Sequence, residues 1–274
     1  MEVHHYRPSM PLAAYVECFW YRQGRAPDRQ PERALPTGNA DLTFNLRDDC
    51  IRVFADDCDT IGRTTRGALV HGPQSRYFVL DARRNVHVIG VHFRAGGAAA
   101  ALGVPAHELA DRHVALEDLW GASAVRLRER LLELRNVRCM FAMLEAHLTR
   151  RLRPMLVHPA ISFALRDIVA SRGGARVADL QRSVGYGARR FTQLFASGVG
   201  LPPKLYSRIQ RVRSIVEASA NTGMSWAELA GEHGYYDQPH LIHDFRAFSG
   251  VTPADYRPLP GRALHMEITR ADRG

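Results

Sequence analysis

The chain has 274 residues, 46% of them hydrophobic and 24% charged, with a formal net charge of +9. Its length argues for two domains, its apolar fraction excludes a disordered chain, and no apolar run reaches the ~18 residues that a membrane span requires. The charge is lopsided: residues 151–274 hold 17 Lys and Arg against 10 Asp and Glu, whereas residues 1–150 hold 20 against 18. Such an excess reads either as a plain basic bias or as the footprint of a polyanionic partner. Lys204 is the only lysine, so the basic chemistry is that of arginine, which contacts phosphate and guanine bidentately. Cys18, Cys50, Cys58 and Cys139 show no C-x-x-C spacing and read as reduced, partly buried thiols. No basic, then apolar, leader opens the sequence, so a cytoplasmic protein is expected.

In chain order, the first hundred residues read as short strands. Leu42, Phe44 and Leu46 alternate with polar neighbours, and Arg52, Phe54, Val70, Tyr77 to Leu80 and Val86 to Phe93 mark further runs. Turn residues at Pro36 to Asn39, Arg47 to Asp49, His71 to Pro73 and Arg83 to Asn85 separate them, the pattern of a small barrel or sandwich. From about Gly96 the period becomes helical. Val137, Phe141, Leu144, Leu148 and Leu152 form one apolar stripe, which either packs into its own domain or meets a second copy. Arg150 to Pro154 breaks the pattern, and a helix near 158–171 follows, assignable to either side of the break.

The C-terminal part repeats itself at an offset of 50: Tyr186, Phe191, Phe195, Gly200, Pro203 and Tyr206 recur as Tyr236, Leu241, Phe245, Gly250, Pro253 and Tyr256. Each copy has the parts of a helix-turn-helix. Short helices near 176–183 and 226–232 lead through Gly185 and Gly234 to longer ones near 188–197 and 238–248. Ser225 and Glu228 form a capping box, Asp237 is a good N-cap, and Gly187 is a weaker one. Opposite the apolar faces stand Arg189, Arg190 and Gln193 in one copy and Gln238, His240 and His243 in the other. Arg reads guanine O6 and N7, and Gln reads adenine N6 and N7. A helix opening at Pro203 joins the copies, with Leu205, Ile209, Val212 and Val216 on one face. Its Lys204, Arg208 and Arg211 form a basic stripe that either holds phosphates or is only solvated.

The run from about Ala175 to Pro258 resembles the DNA-binding domain of AraC-family transcription regulators. Gly250-Val251-Thr252-Pro253-Ala254-Asp255-Tyr256-Arg257 is similar to that family's G-x-T-P-x-x-Y-R ending, and Gly234 to Gln238 and Asp244-Phe245-Arg246 match as well. The resemblance implies two helix-turn-helix units entering successive major-groove segments. It places Arg189, Arg190, Thr192 and Gln193 on bases from the first unit, and Gln238, Pro239, His240, Ile242 and His243 from the second. Lys204, Arg208, Arg211 and Arg246 are expected on phosphates. Pro239 and Ile242 cannot donate to base edges, so they either touch thymine methyls or leave the second unit mainly to position the protein. Thr252 is expected to cap, and Pro253 to open, a last short helix. Gly stands in the turn Val184 to Gly187 where the family often has Ser. More loosely, Arg33 to Gly38, Asp41 to Leu46, Val91 to Gly97 and Leu116 to Trp120 resemble the barrel-like sensor domains of one branch of that family.

The expected fold class is α+β: an N-terminal small β-barrel or sandwich-like domain with helices, then an all-α domain of two helix-turn-helix units. The expected domains are 1–153 for sensing or self-association, 154–260 for DNA binding, and 261–274 as a tail. The expected function is ligand-responsive transcription regulation, without catalysis. Double-stranded operator DNA, a small-molecule effector of unknown identity, a second copy, and RNA polymerase for an activator are the expected partners, and a membrane is not. Two alternatives stand: a DNA-targeted repair-type enzyme using a cysteine, and a constitutive binder whose N-terminal half only self-associates. No cofactor or metal is expected: His87 and His92, five apart on one strand, point to opposite faces, and His4, His5, His71, His107 and His113 lack ligand spacing. Asp56, Asp57 and Asp59 lack the rest of a calcium loop. Cys18 reads as a core thiol or a sensing one. Trp20, Phe44, Phe54, Phe78 and Phe93 read as core or as the lining of an apolar pocket.

Overall fold

A computed structural model of the chain describes residues 2–24, 31–153, 157–260 and 262–267. The expected break at Pro154, and the expected tail beyond residue 267, lie outside them. The N-terminal half runs β1 (Glu2–Tyr6), β2 (Val16–Gln23), β3 (Glu32–Ala34), β4 (Asp41–Asn45), β5 (Cys50–Phe54), β6 (Arg63–Arg66), β7 (Ala68–His71), β8 (Phe78–Leu80) and β9 (His87–Phe93). Helices α1 (Ala98–Leu102) and α2 (Ala106–Leu109), strand β10 (His113–Ala115), and helices α3 (Leu116–Trp120), α4 (Ala122–Glu133) and α5 (Val137–Arg151) complete it. The C-terminal half is α6 (Pro159–Ala170), α7 (Val177–Val184), α8 (Ala188–Val199), α9 (Pro203–Thr222), α10 (Trp226–Glu232) and α11 (Gln238–Ser249), closed by the hairpin β11 (Pro258–Leu259) and β12 (Arg262–Glu267).

The strands form two antiparallel sheets, in the orders β1-β2-β9-β4-β7-β10 and β11-β12-β3-β8-β5-β6. The first sheet is covered on both faces, so β4 buries Phe44 and Thr43 alike. On one face Phe19, Leu42, Phe44, Ile89, Val91 and Phe93 pack against Trp120, Leu127, Phe141, Leu144 and Leu148 of the helical layer. The stripe of α5 is therefore used within its own domain, and Phe141 stacks on Tyr6. On the other face Leu69 joins Ala34, Ile51, Val53 and Leu80 of the second sheet. Within the first sheet Gly90 of β9 gives room to its neighbours on β2 and β4: a Cβ there would stand 2.4 Å from the Trp20 ring and 2.5 Å from Leu42 O.

The two halves share a sheet and a core. Strand β12, in a segment expected only as tail, pairs with β3. Arg262 donates twice to Glu32 across that junction, at 2.8 and 2.9 Å. The turn Pro36 to Asn39 lies on α9: Gln210 Nε2 donates to Thr37 O at 2.7 Å, and Gly38 leaves room for the buried Tyr206. Leu35, Pro36, Ile209, Val212, Phe248 and Leu264 close an apolar seam there, too narrow for water.

Candidate nucleic-acid interface

Helices α6 to α11 build one core from Ile161, Ile168, Leu180, Phe191, Phe195, Ile209, Ile215, Leu229, Leu241, Phe245 and Phe248. This assigns α6, left open by the sequence, to the C-terminal half. Gly185 (φ 73°) and Gly234 (φ 69°) turn the chain between the helices of each unit, in the left-handed region that favours glycine. Both expected caps at the second unit form. Ser225 and Glu228 bond reciprocally at α10, and Asp237 accepts from His240 N at 2.8 Å. Gly187 opens α8 with no side-chain cap. Linker helix α9 buries its expected apolar face at Ile209, Val212 and Val216, with Leu205 half-buried. It also buries Tyr206, Ser207 and Gln210 on a second face toward the N-terminal half.

The structure brings the sequence-expected base readers onto two open helix faces. Arg189, Arg190, Thr192 and Gln193 are exposed on α8, and Gln238, Pro239, His240 and His243 on α11, with Ile242 half-buried. The side chains of Arg189, Arg190, Gln193 and Gln238 have no hydrogen-bond or ion-pair partner among the described residues. His240 packs its ring edge against Tyr235, 5.0 Å between centroids.

The basic stripe of α9 divides. Lys204 is exposed, as is Arg246 on α11. Arg208 is instead committed inside the domain, donating to Asp244 Oδ1 at 2.7 and 3.1 Å and lying over Phe248. Asp244 is only 1% exposed, so this bond fixes α9 to α11. Arg211 donates to Gly173 O at 2.9 and 3.3 Å and covers the Tyr235 ring. For these two, buried acceptors of the same domain already hold the guanidinium groups, so any phosphate contact they make competes with packing. At Thr252 and Pro253 the expected last helix is a turn. Thr252 Oγ1 bonds Asp255 Oδ2 at 2.5 Å, and the chain then leaves for β11.

One residue at this face escaped the sequence reading. Tyr186 of the first unit is half-buried and bonds His158 at 3.2 Å, whereas its repeat partner Tyr236 is 94% exposed beside the N-terminus of α11. The repeat pairing carried the signal, but the tether that distinguishes the two, His158, lies outside the repeat.

The other candidates are absorbed into structure. Asp57 holds Arg33, while Asp56 and Asp59 accept backbone N–H groups of their own loop. His87 bonds Tyr21 at 3.0 Å, His92 bonds Asp41, and His71 and His113 meet at Nδ1, 2.9 Å apart. Among the described residues no group of three or more His, Cys, Asp or Glu could hold a metal ion. Burial pushes the Cys18 thiol up to about 11, the wrong direction for a nucleophile. Cys50 is half-buried, and Cys58 and Cys139, expected to be partly buried, are exposed. Phe44 and Phe93 are core, whereas Trp20 stacks on His92, Phe78 on His71, and Phe54 lies beneath Arg52.

Two family models match the chain: residues 180–258 fit one described as a helix-turn-helix domain, and residues 4–115 one described as a domain of unknown function (DUF6597). The HTH-type transcriptional regulator ExsA of Pseudomonas aeruginosa is 28% identical over 82 residues, which is 30% of this chain. This chain carries an AraC-type DNA-binding domain. The AraC-type match spans 30% of the length of that curated relative. Solved structures of ToxT from Vibrio cholerae are similar at 10% identity. One covers 86% of this chain and 95% of its own, at a TM-score of 0.45. A second, of unsaturated fatty acid bound wild-type ToxT, covers 86% and 92%, at 0.46. Among the described residues, no helix is long and apolar enough to cross a membrane.

Proposed function

We propose that the protein is a transcription regulator that reads an operator with both recognition helices and answers to a small molecule through its N-terminal half. The observation that carries the DNA reading is the pair of exposed polar helix faces, on which Arg189, Arg190, Gln193 and Gln238 have no partner among the described residues. Arg189, Arg190, Thr192 and Gln193 on α8 are the base readers of one unit, and Gln238, Pro239, His240, Ile242 and His243 those of the other. Lys204 and Arg246 hold phosphates. An exposed, unpaired Arg and Gln in the first turns of a second helix have the donors that base edges require.

Control by the N-terminal half is supported by where that half touches. Pro73 lies against Gly200 at the end of α8, Tyr77 N donates to Phe248 O at the end of α11, and the turn at Gly38 grips α9 between them. A change in the sheets therefore reaches both recognition helices through contacts already made. A ligand shifts such a molecule only if it prefers one arrangement of these contacts.

The test is selection of the purified chain on a random duplex library at near-physiological salt, followed by sequencing of what is retained. Two enriched segments about one helical turn apart support paired reading heads. Salt-sensitive retention without enrichment removes sequence-specific reading by the chain alone.

A further inference from the structure

Three buried polar atoms with no hydrogen-bond partner among the described residues lie close together on the helical layer of the N-terminal half. They are Trp120 Nε1 at the end of α3, and His147 Nε2 and Arg151 Nε one turn apart on α5. Trp120 is only 6% exposed. The Arg151 guanidinium carbon stands 4.4 Å over the indole ring, and the His147 ring centre lies 5.3 Å from it. Arg151 makes one long bond nearby, from Nη1 to Ser123 Oγ at 3.3 Å.

The charge around the cluster has one sign. Burial first, and then Arg151, Arg150 and Arg130, bring His147 down to about 4, with no carboxylate acting the other way. At neutral pH the imidazole is uncharged and can carry its proton on Nε2. The indole N–H and the guanidinium Nε–H are obligate donors. Trp120 Nε1 and Arg151 Nε, joined by His147 Nε2 on its Nε2–H tautomer, are thus donors with no acceptor among the described residues, Ser123 Oγ taking only Arg151 Nη1. A buried donor left without an acceptor is destabilising, and surrounding cations favour an acceptor that is negative.

We propose that Trp120, His147 and Arg151 form a binding site for a small oxyanion, a carboxylate or a phosphate, admitted when the half-buried Arg151 side chain lifts from the indole. Bidentate geometry suits Arg to both anions, and the indole and imidazole supply the remaining donors. The site stands apart from the DNA-reading faces and does not depend on the regulator reading.

The experiment is a titration of the full chain labelled with 15N at tryptophan. The Trp120 indole signal is assigned through Trp120→Phe and followed as sodium acetate or sodium phosphate is added, with sodium chloride at matched ionic strength as control. A saturable shift of that signal with either oxyanion, unmoved by chloride, is the expected result. The oxyanion that saturates it at the lower concentration tells carboxylate from phosphate. Arg151→Gln abolishes the shift and Arg151→Lys weakens it, while unchanged Trp20 and Trp226 signals show that both variants fold. The same anion raises the melting temperature of the parent but not of Arg151→Gln. Equal movement with chloride, or no saturation with either oxyanion, overturns the proposal and leaves water as the acceptor. No DNA is present, so failure here and failure of operator binding are read independently.

Discussion

Arginines that look alike in the sequence do different work once placed. Arg189 is exposed and unpaired, so Arg189→Ala should cost about 1–3 kcal/mol of operator affinity and relax specificity at one position. That change is read by repeating the library selection with the variant. Arg208 instead neutralises the buried Asp244. Arg208→Ala should cost about 1–3 kcal/mol of folding stability by taking the guanidinium from that carboxylate and leaving it the longer Tyr235 and His243 contacts, measured as a lowered denaturant midpoint. Lys204→Ala should leave stability alone, weaken all duplexes similarly, and reduce the salt slope by about one. A salt slope unchanged by Lys204→Ala would remove it from the phosphate contacts.

At the scale of elements, the helix-turn-helix units were legible because their information is local. Caps at Ser225 and Asp237, glycines at 185 and 234, and an apolar stripe of period 3.6 fix each helix from within a dozen residues. Asp237→Ala should therefore cost about 1 kcal/mol and fray the start of α11, where Gln238 stands, seen as faster hydrogen exchange there. The second buried face of α9 was not legible. Tyr206 and Gln210 are polar, and their partners Asn39 and Thr37 lie some 170 residues away. Strand β12 was missed for a related reason. Leu264 and Met266 do alternate with His265, but six residues near the end of the sequence gain meaning only from β3, far upstream. In the first sheet both faces are covered: β4 keeps the alternation of Leu42 and Phe44 with Thr43 and Asn45 that made it legible, but the burial of Thr43 and Asn45 beneath the second sheet is not visible in that pattern.

For the whole molecule, acid sensitivity follows from histidines buried in neutral form. His113 and His265 are brought down to about 4 and His71 well below its ordinary 6.5, in each case chiefly by burial. An unfolded chain binds these protons below about pH 6.5 and the folded one does not, so stability falls as pH drops from about 6.5 toward 4. Glu32, held low by His265 and Arg262 despite burial, adds to the loss in the carboxylate range. Melting curves from about pH 7 to about pH 5 should show a falling midpoint, with a shallower slope in His113→Asn. The strand pairing of β12 with β3 has a mechanical meaning too. Helices α6 to α11 leave the sandwich near Arg153 and return to it at Arg262. A domain planted on two feet is not a flail on a tether. Its helices α8, α9 and α11 also rest on the N-terminal half at Pro73, at the Gly38 turn and at Tyr77, so any swing of the reading heads must break these contacts as well as unzip a sheet.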